Sequence, residues 1–273
     1  MKVTVVIPSL AGVTQEYLKV CVESLRATTD WDIIVVTNGT PTSPDLSSID
    51  GITKHLHTSD QGQCVATNIG AQAAAPDTDF IFISNDDMYY APKWKENLNF
   101  DNKVFSPNLV EPTNNNGSAE PFLKADGGFT LEEFQQTLID HFIATKIAER
   151  EHETTGFNFP VFFRKDVWDT IGGYDEAYDP WGSNSDTDLQ TKVELAGIQP
   201  TRLRDVLVYH FSNKSGTFDG THNEFWQFNW DYYTQKWGFN RDDEPKPDTW
   251  AATNLVNKDK NIYHPVWEGK YGS

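Results

Sequence analysis

Short apolar runs alternate along this chain with stretches in which apolar residues recur every three or four positions, and that alternation predicts its layers. Residues 3–7 form a β-branched run expected as a buried first strand, stopped by Pro8-Ser9. Tyr17, Val20, Cys21, Ser24 and Leu25 then fall at helical spacing. Residues 32–36 predict a second strand, ended by the turn chemistry of Thr37-Asn38-Gly39-Thr40, and a weaker third lies near 52–56. Residues 63–75 read as a small-residue helix closed by Pro76, and 80–84 as the next strand. Strand, helix, strand, strand, helix, strand predicts an α/β fold with a mostly parallel, nucleotide-binding (Rossmann-like) sheet flanked by helices.

The middle of the chain is patterned differently. Residues 111–128 are rich in Asn, Gly and Pro and read as loop. Thr130-Leu131-Glu132-Glu133 is a capping box that predicts a helix to about residue 150, with Phe134, Leu138, Phe142 and Ile147 on one face. Residues 161–163 predict a strand, 186–196 a helix ended by Gly197, 206–211 a strand, and 224–237 an aromatic helix. No repeat or linker divides the chain. We therefore expect one domain over 1–240, in two halves that meet at 105/106, and a wrapping tail over 241–273 where Pro and Asn accumulate.

Composition narrows the function. At 273 residues with 38% hydrophobic content the chain has ample material for a core. A formal charge of −18 argues against nucleic acid and against an anionic membrane surface as partners. An anionic small substrate stays possible if a metal or local cations offset that field. Cys21 and Cys64 show no metal or redox spacing, the first strand is too brief for a secretory signal, and no long apolar stretch predicts a membrane span. A cytoplasmic setting is the expectation.

Three polar clusters follow strands or precede helices. The first is Asn85-Asp86-Asp87, directly after an apolar strand and so at the carboxyl edge of the sheet, where open α/β folds bind ligands. Oxygen ligands there suit Mg²⁺ or Mn²⁺ with a diphosphate, although Asn-Asp-Asp is also ordinary turn chemistry. The second runs from Trp181 through Asp186 and Asp188 into a helix, and the third is His210 with Ser212, Asn213, Lys214 and Ser215. Metal-assisted group transfer needs such ligands and a separate carboxylate as base. Each residue has a rival role. Asp186 suits a helix cap, Asp188 a helix dipole, His210 a structural histidine, and Trp181 core packing as well as a platform for sugar C–H groups.

Taken in order, these motifs resemble those of family 2 glycosyltransferases, and most of all its rhamnosyltransferase-type members. The resemblance runs through Val5-Val6-Ile7-Pro8-Ser9, the turn at Asn38-Gly39, Asp60-Gln61-Gly62, Asn68-Ile69-Gly70, Asn85-Asp86-Asp87 at the family's DXD position, Ile171-Gly172-Gly173-Tyr174-Asp175-Glu176, Ser185-Asp186-Thr187-Asp188-Leu189, Tyr209-His210 and Lys236-Trp237-Gly238. It covers about residues 1–240 and implies the A-type nucleotide-sugar-binding fold with a helical, aromatic C-terminal extension. By position it implies Asp87 and His210 as ligands of a divalent metal, Mn²⁺ or Mg²⁺. It implies Asp186 as the base in an inverting transfer from a nucleoside diphosphate sugar to a glycan, lipid-linked or other hydroxyl acceptor. Pro8, Ser9, Asn38, Gly39, Asp60, Asn68, Asn85 and Asp86 are then expected at the donor, and Trp181 and Asp188 at the acceptor.

Two positions depart from the family. Thr37 stands where an acid usually reads the nucleobase, leaving Asn38 for that contact, and Thr67 replaces an arginine expected near the phosphates. These departures keep open a second reading, a nucleotide- or carbohydrate-binding relative whose transferase chemistry has decayed. A nucleotidyltransferase is disfavoured because Ser9-Leu10-Ala11-Gly12 carries no cation.

Overall fold

The computed structural model describes residues 1–113, 122–148, 153–214 and 223–238. Strand β1 (Val3–Leu10) is central, flanked by β2 (Asp32–Asn38) and β4 (Phe80–Ile83), with β3 (Lys54–His57) beyond β2. Helix α1 (Gln15–Thr28) links β1 to β2, and α2 (Gln63–Gln72) links β3 to β4. The four strands are parallel. Alternate residues of β1 serve opposite faces. Val3, Val5 and Ile7 pack with Leu18, Cys21, Val22 and Leu25 of α1, while Val6 packs with Cys64 and Ala71 of α2. Burial on both faces is why these strands read as continuous apolar runs. The expected small-residue helix packs closely for the same reason: a Cβ at Gly70 would stand 2.4 Å from Val6 Cγ1.

Pro8 does not stop β1, which continues to Leu10. Val6 accepts from Ser84 on the β4 side, so by alternation the position of the missing Pro8 N–H faces that side too, where β4 has already ended at Ile83.

Beyond β4 the sheet becomes mixed. It has ten strands in the order β3-β2-β1-β4-β9-β6-β10-β5, with β7 (Leu123–Ala125) beside β6 (Val104–Pro112) and β8 (Glu153–Thr155) beside β10 (Thr201–His210). Strand β9 (Val161–Arg164) lies antiparallel between β4 and β6, and β5 (Met88–Tyr89) antiparallel to β10. Seven strands thus share one direction, and β5, β8 and β9 oppose it. Phe162 of β9 stacks between Phe82 and Phe105 at centroid distances of 3.9 and 4.7 Å, which seals this junction. Strand β6 corrects the expected loop from 111. Ser106, Pro107 and Asn108 interrupt its apolar pattern, yet they are buried in the middle of the sheet.

The capping box does not open a helix. Glu133 reaches back to the N–H groups of Phe129 and Thr130 (3.1 and 3.3 Å), but this closes a turn, and α3 (Gln136–Ile147) begins later. Its buried residues are Ile139 and Ile143, whereas Leu138 is exposed, because the helix lies on β10 in a different rotation from that expected. Helices α4 (Lys165–Ile171), α5 (Ser185–Leu195) and α6 (Asn223–Trp237) complete the described fold. Part of the 111–128 segment, the end of the long helix near 150, Ser215 and the tail over 241–273 lie outside the described residues. Among the described residues no helix is long and apolar enough to cross a membrane.

Candidate active site

Chain order runs outward from β1 to β3 and returns to β4 on the other side of β1, so the ends of β1, β2 and β4 meet at a topological switch point. A cavity of about 370 Å³ opens there, lined by Pro8, Ser9, Asn38, Asn85, Asp86 and Asp87 from this half. Phe159, the turn through Trp181 to Asn184, Asp186, His210, Ser212, Asn213 and Trp226 line it from the other. That volume suits a small ligand.

Pairing of β5 with β10 builds the acidic end of the cavity. Met88 faces His210 across the ladder, and Phe211 N–H donates to the Asp87 carbonyl at 3.0 Å. His210 Nε2 thereby comes within 3.3 Å of Asp87 Oδ1, and its Nδ1 within 2.9 Å of Glu111 Oε1. Burial alone would lower the imidazole, but Asp87 and Glu111 raise it to about 10. Burial likewise acts to raise Asp87, and the His210 charge and hydrogen bond hold it below the ordinary range instead.

The donor set fits a hard divalent ion of the kind that keeps open positions for substrate. A carboxylate and an imidazole nitrogen converge on the cavity, and Glu111 orients the ring from behind as an outer carboxylate does for a ligating histidine. No group of three such side chains gathers among the described residues. Holding an ion also requires the Nε2 proton of His210 to leave.

Asp86 turns toward the β1–α1 loop, where Thr14 Oγ1 donates to its Oδ2. Burial and the adjacent Asp87 charge raise its carboxyl to about 7, against the hydroxyls of Thr14 and Ser9. Asn38 lines the cavity but does not present its amide. Its Nδ2 donates to Ser9 O and its Oδ1 accepts from Gly62 N–H, both at 3.0 Å. Asn38 thus clamps two loops at the cavity wall. Thr37 Oγ1 lies 2.9 Å from His55 Nε2 and 3.0 Å from His57 Nδ1, and Thr67 is buried in α2. Neither Gly39 nor Asp60 lines the cavity, although both adjoin Gln61, which does.

At the other end, α5 carries Asp186 in its first turn. Its Oδ1 accepts from Tyr174 Oη at 3.0 Å and from Gln63 Nε2 and Ser185 Oγ at 3.4 Å. No backbone N–H caps through it. The side chain is exposed to the cavity, and the partial loss of water against its walls raises its carboxyl to about 6, against the three donors. Beside it, Asp179 accepts from Cys64 N–H (3.1 Å) and Val65 N–H (2.8 Å) and so caps α2 from a distant turn. Burial lifts Asp179 to about 7.

Two residues expected at the ligands, Asp188 and Asn68, do not line the cavity. Asp188 is 1% exposed and points away from the cavity, with Oδ1 accepting from Trp237 Nε1 and Lys236 Nζ, both at 2.7 Å. Asn68 is spent on the turn after α4: its Oδ1 accepts from Tyr174 N–H at 2.9 Å and its Nδ2 donates to Tyr174 O and Glu176 Oε1. Sequence reading missed Glu111, Thr14, Gln63 and Asp179. Only Glu111 had a local signal, an acid at the carboxyl end of a strand, and the broken pattern of β6 concealed it.

The family model for "Glycosyl transferase family 2" matches residues 4–162, more than half of the chain. Among solved structures, Staphylococcus aureus TarS 1–349 aligns at 14% identity and TM-score 0.51, covering 94% of this chain and 81% of that one. TarS 1–349 in complex with UDP-GlcNAc aligns at 14% identity and TM-score 0.50 over the same shares. Full TarS aligns at 13% identity and TM-score 0.52, over 98% of this chain and 50% of that one. At these identities the likeness is one of fold, and it agrees with the A-type glycosyltransferase architecture. No curated protein matches in sequence.

Proposed function

The chain belongs to glycosyl transferase family 2, and from that premise we propose that it moves a hexosyl or deoxyhexosyl group from a nucleoside diphosphate sugar to an acceptor hydroxyl with inversion. The observation that carries this reading is that the Asp87–His210 pair and the Asp186 carboxylate line one cavity. Asp186 takes the proton of the acceptor hydroxyl as its oxygen bonds to the anomeric carbon. The bond from that carbon to the diphosphate oxygen breaks on the opposite side, and the nucleoside diphosphate leaves. A carboxyl raised to about 6 is a better base than an ordinary one and stays ionised at neutral pH.

Asp87 and His210 Nε2 are the residues to hold Mn²⁺ or Mg²⁺, with Glu111 fixing the imidazole. The ion supplies countercharge to the departing diphosphate. That role suits a cavity with no Lys or Arg among its described lining residues. Pro8, Ser9, Asn85 and Asp86 form the donor wall, in the half of the chain to residue 105. A donor of this class is in keeping with the UDP-GlcNAc complex of TarS, and the motif resemblance to rhamnosyltransferase-type members favours a deoxyhexose.

Trp181 and Trp226 line the acceptor side from 106–240, and Trp226 keeps 40% of its surface exposed. Two indoles suit the apolar face of a sugar ring, so the acceptor is a glycan, free or lipid-linked. Two buried free thiols, Cys21 and Cys64, are in keeping with a cytoplasmic setting.

The test is donor turnover across a panel of nucleoside diphosphate sugars with Mn²⁺ or Mg²⁺, run on wild type and Asp186→Asn. Turnover of at least one donor, lost in the variant while donor binding survives in calorimetry, is expected. Donor binding without turnover in the wild type would mean a decayed binding relative, and full activity in Asp186→Asn would remove Asp186 as the base.

A further inference from the structure

We propose that Tyr174, clamped by Asn68, is a positioning residue that fixes which oxygen of Asp186 faces the acceptor. The proposal rests on the reading of Asp186 as the base. The described hydrogen bonds to Asp186 all end on Oδ1, from Tyr174, Gln63 and Ser185. Oδ2 is thereby left to receive the acceptor proton. Of the three donors, Tyr174 makes the shortest bond, at 3.0 Å, and rides on a packed ring. Its side chain is buried, with Phe159 stacked at 6.1 Å and Trp168 edge-on at 6.2 Å. A phenol hydroxyl rides on a rigid ring, so fixing the ring fixes the donor.

The ring is fixed in turn by its backbone. Asn68 brackets Tyr174, accepting from its N–H at 2.9 Å and donating to its carbonyl at 3.0 Å. The fit is close enough that a Cβ at the preceding Gly173 would stand 2.6 Å from Asn68 Oδ1. On the far side, Lys192 Nζ donates to Gly173 O at 2.9 Å. A helix on one side of the sheet's switch point thus sets the geometry of a carboxylate on another element, through one turn.

The consequence is readable in the pH profile. A hydrogen bond donated to a carboxylate favours its ionised form, so removing it raises the midpoint. The titratable groups facing Asp186 are Tyr174 itself, the buried Cys64 thiol of α2 and Asp179 at the α2 N-terminus; Gln63 and Ser185 are neutral. Tyr174→Phe removes the phenol hydroxyl alone and leaves Cys64, Asp179, the ring and its packing in place.

The experiment compares wild type, Tyr174→Phe and Asn68→Ala by the acidic limb of kcat/KM and by ¹³C-carboxyl NMR titration of Asp186, its resonance assigned by loss in Asp186→Asn. In Tyr174→Phe the Asp186 midpoint should rise by about 1 pH unit, kcat/KM should fall about fivefold at pH 6, and activity should recover by pH 9. Asn68→Ala should move the midpoint the same way, and in a Tyr174→Phe background should move it no further. An unshifted Asp186 midpoint in Tyr174→Phe, with Asp186→Asn inactive, overturns this inference and leaves the base intact. Retained turnover in Asp186→Asn removes the base reading itself, whatever the NMR midpoint does. If Asn68→Ala does not fold, Tyr174→Phe alone decides.

Discussion

Two clusters of buried carboxylates and cations sit among the described residues, and they differ in what completes them. Asp87, His210 and Glu111 form one, at the cavity end of β5, β10 and β6. Asp175, Asp188, Lys192 and Lys236 form the other, between α5, α6 and the turn that precedes α5. In the second, Lys236 reaches Asp175 at 2.6 Å and Asp188 at 2.7 Å, Tyr232 and Trp237 donate to the same two acids, and none of the four lines the cavity. Its charges are answered from within, at the cost of desolvating four ions. The first has one side open, where His210 and Asp87 face a ligand-sized space. Burial and ion pairing are common to both; access to an incoming ligand separates a site from a scaffold.

That contrast can be broken at either end. The largest expected effect is from Asp87→Asn, which should lower turnover on the order of 10³-fold, the scale of several kcal/mol of countercharge, with a smaller cost in stability because His210 keeps its Glu111 partner. Asp188→Ala should do the reverse. It leaves Lys192 and Lys236 with Asp175 alone and should cost about 3–5 kcal/mol in urea unfolding. Were Asp188→Ala as stable as wild type and inactive, the sealed cluster would belong to the site after all.

Smaller effects sharpen the comparison. Glu111→Gln should weaken Mn²⁺ binding by about 10–100-fold in calorimetry, since it disturbs the imidazole without removing a ligand. The acidic limb of kcat/KM should have its midpoint near 6 in the wild type, falling about tenfold per pH unit below it. The sign follows from the role: a base must be ionised, and desolvation has raised this carboxyl above its usual 3.8, so activity disappears at a higher pH than an ordinary aspartate would allow. Smallest is Trp226→Ala. This cavity-facing indole on α6 should raise acceptor KM about three- to tenfold with unchanged melting, whereas Trp237→Phe, at the sealed end of the same helix, should lower the melting temperature and leave KM alone.

The parallel half was legible because both faces of β1, β2 and β4 are buried, which writes itself into the sequence as unbroken β-branched and aromatic runs. Strand β6 was not, since Ser106, Pro107 and Asn108 carry loop chemistry into the middle of a sheet. The helix expected from Thr130 failed for a related reason. Glu133 makes its backward hydrogen bonds, but Gln135 N–H donates to Gly127 O instead of continuing a helical ladder, and α3 starts after that loop closes.

What the sequence determined by itself were properties of neighbours: strand and helix period, an acid pair at the end of an apolar run, and an ordered set of motifs that places the chain in its family. Those depend on residues a few positions apart. The tertiary structure decided partnership. It brought His210 to Asp87 by pairing β5 with β10, gave Asn68 to Tyr174 instead of the donor, and gave Asp188 to two lysines instead of the acceptor. A polar side chain buried on folding must take whatever complementary group the packing presents, and no local stretch of sequence says which group that will be.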